Sequence, residues 1–300
     1  MEAAHGTSCT LTSKIFNVPA LGTMAHSFVQ SFDSEYDAFK AYAEVYPDDC
    51  TLLIDTYDTL NSGIVNAIKV FNDVLVPNGY RPKGVRLDSG DLAYLSKQVR
   101  KILDDAGFPD CKICVSNSLD EVLITSLFDQ GAQIDSFGVG ENLITAKSDP
   151  VFGGVYKLVA VEENGIIIPK IKISENSAKI TNPSFKKVYR FYDKETNKAL
   201  ADVIALHNEV IPDDNYLIFD PQEPWKEKLL ENYYIKPLQE QIFKNGKLVY
   251  TFPSLSNICK TAKSELDSLW PEIKRLKNPH KYYVDLSKKL WNLKNELLKK

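Results

Sequence analysis

Long apolar runs are missing from this 300-residue chain, and so is any excess of positive charge. No stretch approaches the roughly 18 consecutive apolar residues that cross a bilayer as a helix, so no membrane partner is expected. Basic side chains number 36 against 40 acidic ones, for a formal charge of −4. Nucleic acid needs a basic face to meet its phosphates, and it is not expected as a partner either. Cysteine is scarce, five residues in no disulfide-framework spacing, which predicts a reducing, cytoplasmic setting. The opening MEAAHGTSCT has no basic region followed by an apolar core, so no secretory signal is expected there. What remains is ordinary globular composition, 44% hydrophobic and 25% charged, enough for one large domain or two smaller ones. A local anion pocket is still allowed, because a few backbone N–H groups bind phosphate without net positive charge.

Residues 12–145 alternate short apolar runs with helical patterns. Strand-like runs are Val18–Leu21, Leu52–Ile54, Val85–Leu87, Ile113–Val115 and Ile134–Phe137. Between them Ile64, Ile68, Phe71 and Leu75 recur at steps of three and four, as do Leu92, Leu95, Val99, Ile102 and Leu103. Pro77–Gly79 and Gly107 stop these helices, and a shorter one is expected over 119–129. Strands that are apolar on both faces suit a parallel sheet buried on both sides. Five βα units are fewer than a closed eight-stranded barrel needs. Either the sheet is open or the chain lacks the front of a larger protein. Past Pro150 the texture changes to hairpins, one turning at Glu163–Gly165 and one near Lys194–Lys198. Two helices follow, one through Ile258, Leu266 and Leu269 and one through Leu286, Leu290, Leu293 and Leu297. The expected fold is therefore α/β: an incomplete, irregular TIM-like barrel over 1–150, an antiparallel β section over 151–252 and a helical segment over 253–300.

In parallel α/β folds the carboxyl ends of the strands converge on one face. His26, Asp55, Asp58, Arg86, Asp88, Asp91, Ser116, Asn117, Gly138 and Gly140 all fall there. Imidazole holds or passes charge near neutral pH, and a carboxylate at one ring nitrogen sets the tautomer, a role for which Asp55 is a candidate. Gly138 and Gly140 leave room for backbone N–H groups to approach a phosphate. Each residue taken singly has a structural explanation: Asp58 and Asp91 fit helix N-caps equally well, and a GVG turn is common. It is the run of five consecutive strand ends bearing functional types that points to a phosphate-handling α/β enzyme. Cys111-x-x-Cys114 has redox-motif spacing, but it falls in an apolar strand run where its two members point to opposite faces, so no metal site is expected. His5, His207 and His280 have no visible partners, and the lysines of 287–300 fit a solvated helix face.

Taken together, GTS at 6–8, GTMAHS, LLIDTYDT, VRLDSGD, VSNSLDE, DSFGVGENLIT, PVFGGVYKLVA and KNPHKYYVDLS resemble nicotinate phosphoribosyltransferases over almost the whole chain. The resemblance implies an irregular α/β barrel with a second domain, working as a homodimer. It implies synthesis of nicotinate mononucleotide and pyrophosphate from nicotinate and 5-phosphoribosyl-1-pyrophosphate, coupled to ATP hydrolysis, for NAD salvage. Magnesium is implied through ATP and the pyrophosphate, with no tightly bound organic cofactor. By the same resemblance His26 is the residue that ATP phosphorylates and Asp55 the acid that hydrogen-bonds it. Arg86 and Asp88 line the nicotinate–ribose pocket, Ser116, Asn117, Gly138 and Gly140 hold the ribose and its phosphate, and Thr7 and Ser8 flank the ring. The GT-x-AHS lead-in favours nicotinate. Glu141, counted with the substrate-binding residues, stands where many members carry threonine; an acid there would repel the phosphate unless its side chain turns toward the ribose hydroxyls. The family's chains are longer at the front, which leaves an alternative: a non-catalytic fragment serving only folding or dimerisation.

Overall fold

The computed structural model describes residues 4–151 and 153–299; Met1–Ala3 of the opening segment and Phe152 of PVFGGVYKLVA lie outside them. Two compact units emerge, one over Ala4–Gly153 and one taking in Gly154–Lys300. No helix among the described residues is long and apolar enough to cross a membrane.

The first unit is organised by a parallel sheet in the order β1 (Thr51–Leu53), β2 (Gly84–Leu87), β3 (Lys112–Val115) and β4 (Ser136–Phe137). Leu52, Leu53, Val85, Leu87, Ile113 and Val115 are all fully buried, so both faces of these strands are covered, as their unbroken apolar runs require. The helices are α1 (Thr10–Phe16), α2 (His26–Gln30), α3 (Glu35–Val45), α4 (Ile64–Val70), α5 (Leu92–Asp105), α6 (Glu121–Asp129) and α7 (Glu141–Ile144). Along α5 the buried positions Leu92, Ala93, Ser96, Val99 and Leu103 form one stripe against the core. The stretch expected as one helix from Ile64 to Leu75 is a composite, with π turns at Thr59–Gly63 and Phe71–Leu75 on either side of α4.

Two expectations need correction. Val18–Leu21 is not a strand of the sheet. Among the described residues its only ladder contact is a parallel bridge between Thr7 and Ala20, held by Thr7 N–H to the Pro19 carbonyl and Leu21 N–H to the Thr7 carbonyl, both 2.9 Å. Pro19 has no N–H to give, which favours an isolated bridge over a ladder. His26 accordingly opens a helix instead of following a strand. The count of βα units falls to four. Among the described residues the parallel sheet is open, with β1 and β4 as its edges, and no closed barrel is formed.

The second unit is β-rich: β5 (Ala160–Glu163), β6 (Ile166–Pro169), β7 (Lys186–Asp193), β8 (Ala199–Leu206), β9 (Tyr216–Phe219), β10 (Glu227–Leu230), β11 (Tyr233–Pro237), β12 (Phe243–Lys244), β13 (Lys247–Leu248) and β14 (Val284–Leu286). Its main sheet runs β11-β7-β8-β14, antiparallel except for β14, which joins β8 in parallel. Phe191, Ala201, Val203, Ala205, Ile218, Leu230 and Tyr233 make its core. Helix α8 (Leu255–Ser268) buries no residue and is tied on by ion pairs, Glu265 meeting Arg190 at 2.9 Å and Lys236 at 2.7 Å. Helix α9 (Lys288–Leu298) instead packs through the fully buried Leu290.

A Cβ at Gly63 would stand 1.8 Å from the Ile54 carbonyl oxygen, one residue before Asp55. Gly63→Ala is therefore expected to destabilise the first unit by about 3 kcal/mol or more, since backbone cannot yield as a side chain does; chemical denaturation checks this. In the second unit, burial and the nearby charge of Asp220 push the Asp285 carboxyl up to about 6, against the pull of Lys281. A carboxyl raised on folding stabilises fully below its unfolded value near 4, and that contribution is lost as pH rises through 6. Asp285→Asn should remove this fall between about pH 4 and 6, leaving the variant a few degrees more stable than wild type at pH 7 in thermal melts.

Candidate active site

Sheet register assembles the site. Leu53 pairs with Arg86, Leu87 with Val115, and Val115 with Phe137. The residues just past those pairs, Asp55, Asp88, Ser116 and Gly138, therefore emerge in one row along the carboxyl edge.

Asp55 is the buried member, its side chain 1% exposed. Its Oδ2 accepts the backbone N–H of Asp88 at 2.7 Å and the Ser89 hydroxyl at 2.8 Å. Gly90, at φ +77°, then turns the chain so that Asp91 can cap α5 through the Tyr94 N–H at 3.0 Å. Asp58 likewise caps the π turn, accepting from the N–H groups of Leu60 and Asn61. Both residues thus act as helix caps in the fold. The other oxygen of Asp55, Oδ1, is buried without a hydrogen-bond partner; His26 Nε2 lies 4.0 Å from it.

Asp88 is held from the opposite side. Arg86 Nη2 donates to its Oδ1 at 3.1 Å, the Ser116 hydroxyl donates to the same oxygen, and Arg86 Nε donates to Ser116 Oγ at 2.8 Å. Burial opposes the Asp88 charge, but the Ser116 hydroxyl, the Arg86 guanidinium and His26 outweigh it and keep the carboxyl below the usual range. That triangle leaves Oδ2 of Asp88 3.5 Å from His26 Nε2. His26 itself is 38% exposed at the start of α2, and its Nδ1 lies 3.1 Å from Thr56 Oγ1. An accessible imidazole thus sits over two carboxylates with a guanidinium behind them. Such a group can carry positive charge or a transferred group while its neighbours orient it.

The remaining candidates differ. Gly138 donates its N–H to the Val115 carbonyl at 2.8 Å, and a Cβ there would come within 3.3 Å of Ser116 Cβ, so a side chain would crowd the row. Asn117 is exposed at φ +99°. Gly140 precedes α7, with open space around it, and Glu141 is exposed. Among the described residues Thr7 and Ser8 make no hydrogen bond to the cluster; the Thr7 hydroxyl accepts from Cys9 N–H at 3.1 Å. Cys111 is buried, and burial pushes its thiol up to about 12, which suits packing over redox chemistry. Among the described residues no group of three His, Cys, Asp or Glu side chains could hold a metal. Thr56 and Ser89 are the contributors not singled out in the sequence. The only signal for them is an alcohol directly after an aspartate at a strand end, in DTYD and DSGD.

Residues 185–294 match the family model of the nicotinate phosphoribosyltransferase C-terminal domain. The chain is 47% identical to the nicotinate phosphoribosyltransferase of Bacillus subtilis over 291 residues, which is 96% of this chain and 58% of that protein. The human nicotinate phosphoribosyltransferase is 30% identical, with 97% of this chain and 63% of the relative covered. Among solved structures, that of human nicotinic acid phosphoribosyltransferase superimposes with a TM-score of 0.76 at 26% identity, over 99% of this chain and 65% of the other. The nicotinate-nucleotide pyrophosphorylase of Pyrococcus furiosus shares the fold, with a TM-score of 0.59 at 24% identity, over 87% of this chain and 59% of the other. The chain thus spans 58% to 63% of the length of these two curated relatives.

Because the Asp88 carboxyl is held low, it stabilises the fold fully above its unfolded value near 4, and this is lost as pH falls through the folded value. Asp88→Asn should flatten the acid limb of a plot of melting temperature against pH and lower the melting point at pH 7 by a few degrees.

Proposed function

Since the chain belongs, as a partial member, to the nicotinate phosphoribosyltransferase family, we infer that its strand-end row is the phosphoribosyl-transfer site of such an enzyme. The reaction joins nicotinate to the ribose of 5-phosphoribosyl-1-pyrophosphate, releases pyrophosphate and is coupled to ATP hydrolysis, serving NAD salvage. The observation that carries this reading is the convergence of His26, Asp55, Asp88, Arg86 and Ser116 within one hydrogen-bonded and ion-paired cluster.

As pyrophosphate departs, ribose C1 becomes cationic, and the pyridine nitrogen attacks from the other face. Positioning and electrostatics do most of the work in such a transfer. The carboxylate of Asp88, kept charged by Ser116 and Arg86, is suited to stabilise that cation. Arg86 and Asp88 border the nicotinate–ribose pocket. Ser116, Asn117, Gly138 and Gly140 hold the ribose and its 5-phosphate, Glu141 reaches its hydroxyls, and Thr7 and Ser8 flank the ring. His26 takes the phosphoryl group of ATP, and the added negative charge makes substrate binding depend on ATP. Magnesium, bound through the phosphates of ATP and 5-phosphoribosyl-1-pyrophosphate, would supply neutralisation of their charge. The Asp55 and Asp88 carboxylates are the acidic groups nearest the imidazole. We read the open sheet as part of an irregular TIM-like barrel, and the working form as a cytoplasmic homodimer.

The test is nicotinate-dependent release of pyrophosphate and formation of nicotinate mononucleotide by the 300-residue chain, with ATP and magnesium. His26→Ala should abolish stimulation by ATP while a slower, ATP-independent transfer persists. Stimulation of the variant by ATP to the wild-type extent would remove His26 from the coupling role, and transfer that ignores nicotinate would overturn the reading as a whole.

A further inference from the structure

We infer that the Thr56 hydroxyl donates to Nδ1 of a neutral His26 ring whose proton the facing carboxylates of Asp88 and Asp55 hold on Nε2. Two acceptor oxygens face Nε2: Asp88 Oδ2 at 3.5 Å and Asp55 Oδ1 at 4.0 Å. Among the described residues neither takes a hydrogen bond from another donor. Arg86 and Ser116 both bond Oδ1 of Asp88 and leave Oδ2 free. Asp55 Oδ1 is buried with no hydrogen-bond partner. A lone pair on Nε2 pointing at these oxygens would be repelled, so in the neutral ring Nε2 bears the hydrogen. Nδ1 then presents the lone pair, and its partner at 3.1 Å, the Thr56 hydroxyl, has to donate.

Thr56 follows Asp55 directly, so one strand end supplies both halves of the device. The carboxylate of Asp55 lies on the Nε2 side and the hydroxyl of Thr56 on the Nδ1 side. Two contacts at opposite edges of a planar ring also fix its rotation, which neither could do alone. Thr56 touches His26 and acts through it, so it is a positioning residue. Its importance for catalysis rests on the function proposed above; the placement of the proton does not.

Long-range proton–nitrogen NMR of the ¹⁵N-labelled 300-residue chain, at a pH where the imidazole is neutral, reads the tautomer directly. The chain has four histidines, and the signals of His26 are those lost in His26→Gln. The expected result is an unprotonated Nδ1 and a protonated Nε2. Thr56→Val should move the Nδ1 signal downfield as its donor is lost, and Thr56→Ser should restore it. In the ATP-stimulated transfer assay Thr56→Val should lower kcat about tenfold, the worth of one well-placed hydrogen bond, with Thr56→Ser near wild type. A protonated Nδ1 in the wild type overturns the inference, as does a Thr56→Val spectrum unchanged from it. Should Thr56→Val fail to fold, the wild-type and Thr56→Ser spectra still decide. A chain inactive in every form but with the expected tautomer would defeat the functional reading and leave this one standing.

Discussion

The buried carboxylate of Asp55 is the constraint on which the rest of the site depends. Its Oδ2 accepts from the Asp88 backbone and the Ser89 hydroxyl, so it sets the path of the β2–α5 loop before any side chain of that loop is considered. Charge-assisted bonds of this kind are about twice as strong as neutral ones, and the low exposure of Asp55 protects them from competing water. The path so fixed sends the Asp88 side chain toward Arg86 and Ser116, and the triangle they close turns its free oxygen toward His26. Substitution at Asp55 would act first on where Asp88 points and only second on His26, which it approaches no closer than 4.0 Å.

Much of this was legible in the residues. Strands β1 to β4 announce themselves as short apolar runs, each followed by Asp, Ser or Gly, and parallel register then brings those followers into one row. The stripe on α5 follows from its period. Other features depend on contacts that no local pattern encodes. The extended segment around Pro19 has a strand's composition but lacks a donor at the position a ladder needs. The π turn before α4 ends at Gly63, which lies against the Ile54 carbonyl, an approach that a glycine in a helical pattern does not reveal. Thr56 and Ser89 look like ordinary polar residues in loops; they acquire roles only because the sheet brings an imidazole and a carboxylate within reach. Strands β9 to β11 were hidden for a different reason: they are short and interrupted by Pro, Asp and Asn, and their pairing is set by the tertiary core of Phe191, Ile218 and Tyr233.

Polar clusters of similar make-up occur in both units, and how completely their valences are filled tells them apart. In the second unit Arg190 grips both oxygens of Asp202, at 2.8 and 2.9 Å, and Tyr282 adds a hydroxyl to one of them. Glu265 is equally occupied: Oε2 takes Arg190 and Tyr192, each at 2.9 Å, and Oε1 takes Lys236 at 2.7 Å. Every carboxylate oxygen there has at least one donor. The cluster holds α8 to the sheet where that helix buries no apolar residue.

The strand-end row is built from the same residue types but left incomplete. Asp55 Oδ1 is buried and unbonded, Asp88 Oδ2 has only an imidazole 3.5 Å away, and that imidazole is open to solvent. A buried acceptor without a partner costs about 1–3 kcal/mol, and a fold under no other demand could remove that cost with one more donor, as the second unit does around Asp202. Filling it with a fixed protein donor would neutralise the charge that faces His26. The unfilled valence and the accessible imidazole therefore belong together: the first keeps negative potential at Nε2, and the second lets a ligand reach the ring that this potential orients.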